Sequence, residues 1–233
     1  MYNVPALWGT LIADPAHYFI TKVSINGVTY TQDKIMEMSV DLRMFSDQQP
    51  GVGGCLSGEL TLKMLNPSDA IPRMAEIIPY VCVTNGSQTS AYIPQGKYYI
   101  DTREITKNDD GLPILSLHAY DAMLKTEADF PDTLTSYPKV DTAVVNDIAT
   151  AIGVTVDART TALMTAGYSI GLPVGYSMRE VLGNIAAMYA GNWVMSYDGE
   201  LLLIAVNGIP PETNYLVDNS GDAITFGGYR ILV

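Results

Sequence analysis

Short runs of β-branched and apolar residues, separated by turn residues, recur through the first 120 positions of this chain of 233 residues. The clearest run alternates strictly, with Leu60, Leu62 and Met64 apolar and the residues between them polar or charged. Such alternation is the period of a strand with one buried face. The predicted strands are Phe19–Ile25, Val28–Tyr30, Ile35–Phe45, Gly58–Met64, Ile78–Thr84, Gly96–Thr106 and Leu112–Tyr120. Six or seven short strands at this spacing favour a small barrel or a sandwich.

Turn residues punctuate these strands. Asn26-Gly27 is a strong signal for a two-residue hairpin turn, and Asp198-Gly199 is a second one far along the chain. Lys107–Gly111 joins the last two predicted strands and contains residues that tolerate a positive φ. The longest polar break is Asp47–Gly54, which holds one proline and three glycines.

A helical period replaces the strand period from about residue 137. The first predicted helix has Asp141 as its cap, Val140 as a hydrophobic staple on Val145, and Gly153 as its stop. Its apolar face consists of Val144, Val145, Ile148, Ala149 and Ile152.

A second helix is marked by a capping box, in which Ser177 and Glu180 stand at the spacing S-x-x-E. Its apolar stripe is Val181, Leu182, Ile185, Ala186 and Tyr189, and Gly191 is the predicted stop. The strands Trp193–Tyr197 and Glu200–Ala205 then flank the turn at Asp198-Gly199.

The predicted fold class is α+β and mostly β, with a small β-barrel domain followed by a small αβ domain. The first domain covers residues 1–130 and the inserted αβ domain covers residues 138–206. Residues 207–233 comprise a linker, Gly208–Thr213, and the opening strand of a second barrel, Ile224–Val233. Because the chain stops in an apolar strand, we expect more protein to follow in the natural gene.

Charge, the N-terminal residues and cysteine content argue against several kinds of partner and location. Thirteen basic against 25 acidic residues give a net charge of −12, which disfavours a partner held by phosphate contacts. The first 14 residues lack the basic flank of an export signal and are too short for a membrane helix. The chain has two cysteines, Cys55 and Cys82, and neither has neighbours at metal-binding spacing. Such scarcity of cysteine is typical of a reducing compartment.

No set of residues adds up to a catalytic, cofactor-binding or metal site. The two histidines, His17 and His118, have no second positioned group that would make either a general base. Gly86-Ser87 lies in a turn without a nucleophile motif, and the adjacent acids Asp109-Asp110 are expected to be solvated. No phosphate-binding glycine motif occurs. We therefore expect no enzyme activity and no cofactor.

A paired-carboxylate site is the alternative that is harder to exclude. Asp101, Glu104 and Asp121 lie on neighbouring predicted strands, where two of them could flank a glycosidic bond. An Asp at a strand end, however, more often accepts a hydrogen bond in a turn. Tyr98 and Tyr99 point to opposite faces of one strand, so at most one of them belongs to a stacking surface for sugars.

The order of several short motifs is more informative than any one of them. IPQGKYYID at 93–101 is followed by LSLHAYDAM at 115–123, SMREVL at 177–182, GNW at 191–193 and DGEL at 198–201. This series, over roughly residues 15 to 230, resembles the tail-hub proteins of phages and prophages, the baseplate hub and tail-associated family. The rest of that family's second barrel is missing from this chain.

The resemblance implies a tail-tip ring with two related β-barrel domains and a small αβ domain inserted between them. The full-length protein is then a homotrimer that joins the tail tube, or a distal tail protein, to a spike or fibre, next to the tape measure protein. DNA passes through the ring without being bound specifically, and an acidic lumen lets it slide. The location implied is the virion tail, assembled in the bacterial host cytoplasm. A carbohydrate-binding adhesion module and the non-catalytic N-terminal part of a tail-associated cell-wall hydrolase are the alternatives.

Overall fold

The computed structural model describes residues 4–43, 51–67, 71–107, 110–131 and 136–205, and the backbone of 225–226 and 229–230. The helices are α1 (Ala6–Ile12), α2 (Asp141–Ile152), α3 (Ala158–Leu163) and α4 (Met178–Met188), with a 3₁₀ helix at Ala122–Glu127. The strands of the first region are β1 (Tyr18–Ile25), β2 (Val28–Thr31), β3 (Ile35–Asp41), β4 (Glu59–Leu65), β5 (Glu76–Thr84), β6 (Ile93–Pro94), β7 (Tyr98–Lys107) and β8 (Pro113–Asp121). The later strands are β9 (Lys139–Val140), β10 (Ser169–Ile170), β11 (Gly191–Met195), β12 (Leu201–Ala205), β13 (Thr225–Phe226) and β14 (Tyr229–Arg230). The predicted class, α+β and mostly β, is confirmed.

One antiparallel sheet contains β1 to β8, in the order β2-β1-β5-β7-β8-β4-β3, with β6 on β5. Asn26 and Gly27 have φ values of 49° and 82° and Ile25 pairs with Val28, so the predicted hairpin is confirmed. The predicted strands match the observed ones to within two residues at their ends, except that β3 ends at Asp41 rather than Phe45. Residues 44–50, with the first part of the predicted loop, lie outside the described residues.

The sheet is curled but open, which corrects the prediction of a closed barrel. β2 and β3 are its two edge strands, yet only residues 32–34 separate them in sequence, and the Lys34 amide donates to the Thr31 carbonyl at 2.9 Å. This tight turn brings one end of each edge strand together. No ladder between β2 and β3 is present among the described strands.

The interior of the curl is filled by every second residue of its strands. Leu60, Leu62 and Met64 on β4 are fully buried, while Thr61 and Lys63 between them are exposed. This sheet core contains Val23, Ile25, Leu60, Leu62, Met64, Ile71, Ala75, Ile77, Tyr98, Ile100, Leu115, Leu117 and Ala119. All of its members therefore come from residues 23–119.

Both predicted helices form, with corrections at their ends. The apolar face of α2 is buried as predicted, and Gly153 ends the helix with a φ of 76°. Asp141 is not the N-cap but the first helical residue, and Val140 takes the cap position with about half of its surface exposed. The reason is tertiary, because the Asp141 carboxylate accepts from the Tyr189 hydroxyl at 2.5 Å and from the Tyr168 amide at 3.3 Å.

The capping box of α4 is confirmed, since Ser177 and Glu180 each accept from the other's backbone N–H. The predicted stop at Gly191 is wrong. The helix ends at Met188, Ala190 takes a positive φ of 50°, and Gly191 is already the first residue of β11. A side chain at Gly191 would lie 2.6 Å from the Ile204 carbonyl oxygen, so the close approach of β12 requires this glycine.

The hairpin of β11 and β12 is confirmed, but its turn is longer than the predicted two residues. Ser196 still pairs with Glu200, and the Gly199 amide donates to the Ser196 carbonyl at 2.9 Å. Gly199 has a φ of 79°, whereas Asp198 has no positive φ. This combination is a type I turn followed by a left-handed glycine, which continues the strand twist with one more residue.

Some elements and segments fall outside the predictions or outside the described residues. Helices α1 and α3 and the strand pair β9–β10 were not predicted. The linker Gly208–Thr213 lies outside the described residues, and of the predicted strand Ile224–Val233 only the backbone pair β13–β14 is described.

A second core lies between the helices and the hairpin. It contains Val144, Val145, Ile148, Ala149, Ile152, Met164, Met178, Val181, Leu182, Ile185, Ala186, Trp193, Met195, Leu201 and Leu203, together with Cys55, Ala122, Met123 and Phe130. The last four precede residue 131, so this helical core includes side chains from the first predicted domain. The domain limits 1–130, 138–206 and 207–233 stay a prediction.

Candidate functional site

A cleft of about 580 Å³ lies between one end of the sheet and the hairpin β11–β12. Successive residues of a strand face opposite sides, so the hairpin contributes residues both to the helical core and to the cleft. Trp193, Leu201 and Leu203 face the helical core, Val194, Leu202 and Ile204 face the cleft, and Met195 at the end of β11 borders both. The sheet contributes Gly58, Tyr98 and Asp121, and Arg43, Lys97, Arg159 and Asp198 also line the cleft.

Residues 51–58 build the junction beside this cleft. They run along the free edge of β11, where the Gly53 amide donates to the Gly191 carbonyl at 2.8 Å and the Leu56 amide donates to the Trp193 carbonyl at 2.9 Å. The Trp193 amide donates back to the Gly54 carbonyl at 2.8 Å. The segment therefore pairs with β11 in parallel, like a third strand beside the hairpin.

Asn192 clamps the same segment with its side chain. Its Oδ1 accepts from the Gly54 amide at 2.8 Å and its Nδ2 donates to the Gly51 carbonyl at 2.7 Å. Both groups of this buried amide are therefore paired across 138 or more positions of sequence. The GNW motif was noted in the sequence, but no local pattern predicts this partner.

Arg179 ties three parts of the molecule together. Its guanidinium donates to the Cys55 carbonyl at 2.8 Å, to the Met123 carbonyl at 3.1 Å and to the Ser57 hydroxyl at 3.3 Å. Its Nε lies 2.8 Å from a Glu127 carboxylate oxygen. A planar group with several donors suits such a junction, because its two terminal nitrogens reach three acceptors in two distant segments.

Asp121 ends β8 and is buried beside the cleft, with 3% of its surface exposed. Its carboxylate accepts from the Gly58 amide at 2.6 Å and from the Met123 amide at 2.9 Å, and so caps the 3₁₀ helix. Burial raises its pKa to about 7, although these two hydrogen bonds and Arg179 act in the opposite direction. A perturbed carboxyl at a cleft is a functional-site candidate only when a second group is positioned with it.

The structure does not bring the three candidate carboxylates together. Asp121 pairs with Tyr98, whereas Glu104 pairs with Ser116, six residues further along β7. At about 3.3 Å per residue, Asp121 and Glu104 lie roughly 20 Å apart along the strands. Asp101 and Glu104 are exposed on β7, outside the residues that line the cleft. This arrangement gives no support to a paired-carboxylate glycosidase.

The remaining candidates have structural partners. His118 lies 3.5 Å from a Glu59 oxygen across the sheet, and His17 contacts the Asp14 carbonyl at 2.6 Å. The Ser87 amide donates to the Asn85 side chain within a tight turn. Burial raises the pKa of the Cys55 thiol to about 12, so this thiol stays protonated at neutral pH.

Tyr98 and Tyr99 do point to opposite faces. Tyr98 is buried in the sheet core and donates to the Gln95 carbonyl at 2.9 Å, and burial raises its pKa. The half-buried Tyr99 ring lies 3.7 Å from the Lys125 ammonium. Neither ring is free to stack on a sugar.

Two further observations concern metal ions and membranes. Within the described ranges, no group of three or more His, Cys, Asp or Glu side chains is arranged to hold a metal ion. The described helices include none that is long and apolar enough to cross a membrane.

Comparison with solved structures identifies the fold. A 43 kDa tail protein of prophage MuSo2 from Shewanella oneidensis superposes with a TM-score of 0.55 at 14% identity, over 90% of this chain and 61% of that one. The fold is that of prophage tail proteins. A tail protein from Neisseria meningitidis MC58 gives a TM-score of 0.54 at 13% identity, over 88% of this chain and 53% of that one.

This likeness confirms, at the level of the fold, the resemblance drawn from the order of the motifs. The chain spans little more than half the length of the two tail proteins. No protein-family model matches the sequence, and no curated protein matches it.

Proposed function

We propose that this protein is a structural component of a phage or prophage tail. The observation that carries the proposal is the shared fold, which extends over 90% of this chain in the Shewanella prophage tail protein. The motif order supports the same reading independently of the coordinates. A virion tail is accordingly the proposed location.

In finer terms, we propose a homotrimeric tail-tip ring that joins the tail tube to a spike or fibre and lets DNA pass. Two properties support it. Residues 51–58, Asn192 and Arg179 hold the sheet and the helical unit together, which suits a building block that transmits load. The net charge of −12 would make a lumen that repels DNA and so lets it slide.

We propose a non-enzymatic role, because the carboxylates, histidines and serine weighed above have structural partners or stand apart. An adhesion role has no comparable support. Among the exposed tyrosines of the described residues, Tyr197 lines the cleft with 40% of its surface exposed, whereas Tyr18 and Tyr176, at 52% and 50%, lie outside it, so no set of rings is gathered there. No second candidate function is therefore put forward.

Electron microscopy of the full-length gene product tests the ring. The expected image is a threefold ring with a central hole, and mass spectrometry of purified particles is expected to find the protein in the tail. A full-length protein that stays monomeric at high concentration, and is absent from the particles, would contradict the proposal. A glycan-binding screen of the same sample is expected to be negative.

A further inference from the structure

A charge-free segment covers one side of the helical unit. The 19 residues from Thr160 to Met178 contain no Asp, Glu, Lys or Arg, in a chain with 38 such residues. Within this stretch, residues 165–176 form what we call the strap. Ten of its twelve residues are exposed and the other two are half-buried. A contiguous uncharged surface with exposed apolar side chains is typical of an interaction site.

The strap is held at both ends by hydrogen bonds. The Asp141 amide donates to the Tyr168 carbonyl at 2.8 Å, and the Phe130 amide donates to the Tyr176 carbonyl at 2.8 Å. Between these points, Ser169 and Ile170 pair with Val140 and Lys139. A segment that is already ordered loses less conformational entropy on binding than a free loop does.

The centre of the strap is exposed. The Val174 amide donates to the Leu172 carbonyl at 2.9 Å, which closes a tight turn around Pro173. Val174 has 68% of its surface exposed and Leu172 has 38%. The strap therefore presents an apolar tip without a charged neighbour in sequence.

The cleft beside the hairpin is suited to an apolar, uncharged segment such as the strap. Its floor is apolar, formed by Val194, Leu202 and Ile204. The cations that line it already have partners, since Arg43 lies 2.6 Å from Asp41 and Arg159 lies 2.6 Å from Asp157. The third, Lys97, lies 3.6 Å from Glu76. An uncharged guest fits such a cleft better than an acidic one, and about 580 Å³ lies within the range of sites that enclose a small ligand.

The strap and the cleft share no residue, and each borders elements of the helical core. Ile170 of the strap packs against that core, and so does Trp193 from the opposite face of the hairpin. The cleft lies beyond the hairpin, where Val194 points away from the core. An exposed apolar segment and an apolar cleft that are separate patches of one molecule allow a head-to-tail contact between identical copies.

We propose that the strap of one copy docks in the cleft of a second copy of this chain. Two chains of net charge −12 repel each other, so a contact made through an uncharged segment is where two copies approach at least electrostatic cost. Repeated head to tail, the contact closes into a ring or extends into a filament. The ring form of this proposal rests on the proposed function, whereas the contact itself does not.

Cysteine cross-linking between two variants tests the contact. Val174→Cys marks the strap tip, and Leu42→Cys marks the cleft rim, where Leu42 has 46% of its surface exposed. The native Cys55 and Cys82 are buried, at 8% and 0% exposure, and do not compete. When the two variants are mixed and oxidised, the expected product is a disulfide between one chain of each kind. Val28→Cys, on β2 with 47% exposure, replaces the strap variant in the matched control and is expected to give none.

The other outcomes overturn the proposal. Cross-links only between identical Val174→Cys chains would mean a two-fold contact of strap on strap, and the absence of mixed cross-links would mean that the strap binds a different protein or nothing. In sedimentation experiments, Val174→Asp is expected to weaken self-association at least about tenfold, while Val28→Asp has little effect. Added salt is expected to strengthen the contact, because it screens the repulsion between copies.

The two proposals fail separately. If the full-length protein gives mixed cross-links but forms no ring, the contact between strap and cleft is supported and the tail-tip ring is contradicted. If a ring assembles equally well with Val174→Asp and gives no mixed cross-links, the ring is supported and the contact is contradicted.

Discussion

The two cores of this protein differ in where their residues come from. The sheet core takes all of its members from residues 23–119, whereas the helical core combines residues 144–203 with Cys55, Ala122, Met123 and Phe130. The dependence therefore runs one way. The sheet can bury its interior without the helical unit, but the helical unit needs side chains from the sheet region.

The largest expected effect comes from separating the two regions. A chain of residues 1–137 keeps every member of the sheet core and is expected to unfold cooperatively in urea, followed by circular dichroism. A chain of residues 138–233 loses four buried side chains and is expected to show no cooperative transition. Cooperative folding of the second chain alone would show that the helical core is self-sufficient.

Trp193 connects the helical core to residues 51–58. It is fully buried, its Nε1 donates to the Leu182 carbonyl at 2.7 Å, and its backbone pairs with residues 54 and 56. Trp193→Ala is expected to lower the free energy of unfolding by about 3–5 kcal/mol, measured by urea denaturation. Trp8→Ala, at a half-buried site on α1, is the control and should cost about 1 kcal/mol. Equal losses in the two variants would contradict the assigned role.

Arg179 tests the joint between the regions. Arg179→Met removes the donors to the Cys55 and Met123 carbonyls, and the expected loss is about 2 kcal/mol of unfolding free energy. Arg43→Met is the matched control, because Arg43 and Asp41 form an ion pair with about half of each side chain exposed. Such a surface pair contributes about 0–1 kcal/mol. A loss for Arg179→Met no larger than that of the control would show that the joint does not depend on this residue.

The smallest effect concerns pH. The pKa of Asp121 is about 7 in the folded protein and near 3.8 in the unfolded chain, so the folded state holds the proton more tightly. The resulting stabilisation is complete below about pH 4 and is lost as the pH rises through 7. Between pH 6 and pH 8 the free energy of unfolding is expected to fall by about 1.4 kcal/mol.

Asp121→Asn is the control for this dependence. The amide keeps an oxygen that can accept from Gly58 or Met123, but it does not titrate. Urea denaturation of the variant at the two pH values is expected to give nearly equal stabilities. A variant that keeps the full dependence would assign it to another group.

Local patterns predicted the elements well. The alternation around Leu62, the turn at Asn26-Gly27 and the capping box at Ser177 each depend on residues within a few positions of one another, and each is confirmed. The errors fall at the ends of elements. Asp141 and Gly191 carry ordinary helix-end signals, but in the structure each meets a partner from a distant segment.

The candidate site could not be predicted from local sequence patterns in the same way. The Gly51–Gly54 stretch reads as a polar loop, and only its pairing with Asn192 makes it part of the hairpin. The glycines were the one available signal, since they permit a close approach of backbones. The order of the motifs nevertheless indicates the tail-protein fold from the sequence alone.

The sequence by itself determined the strands, the two main helices, the mostly β class and the absence of a recognisable catalytic motif, because these depend on periodicity and neighbouring residues. Only the tertiary structure decided that the sheet stays open between β2 and β3, that the helical core includes Cys55 and Met123, and that Asp121 is buried. These features depend on contacts between segments far apart in the chain. Their energies arise from packing and burial, which no local pattern encodes.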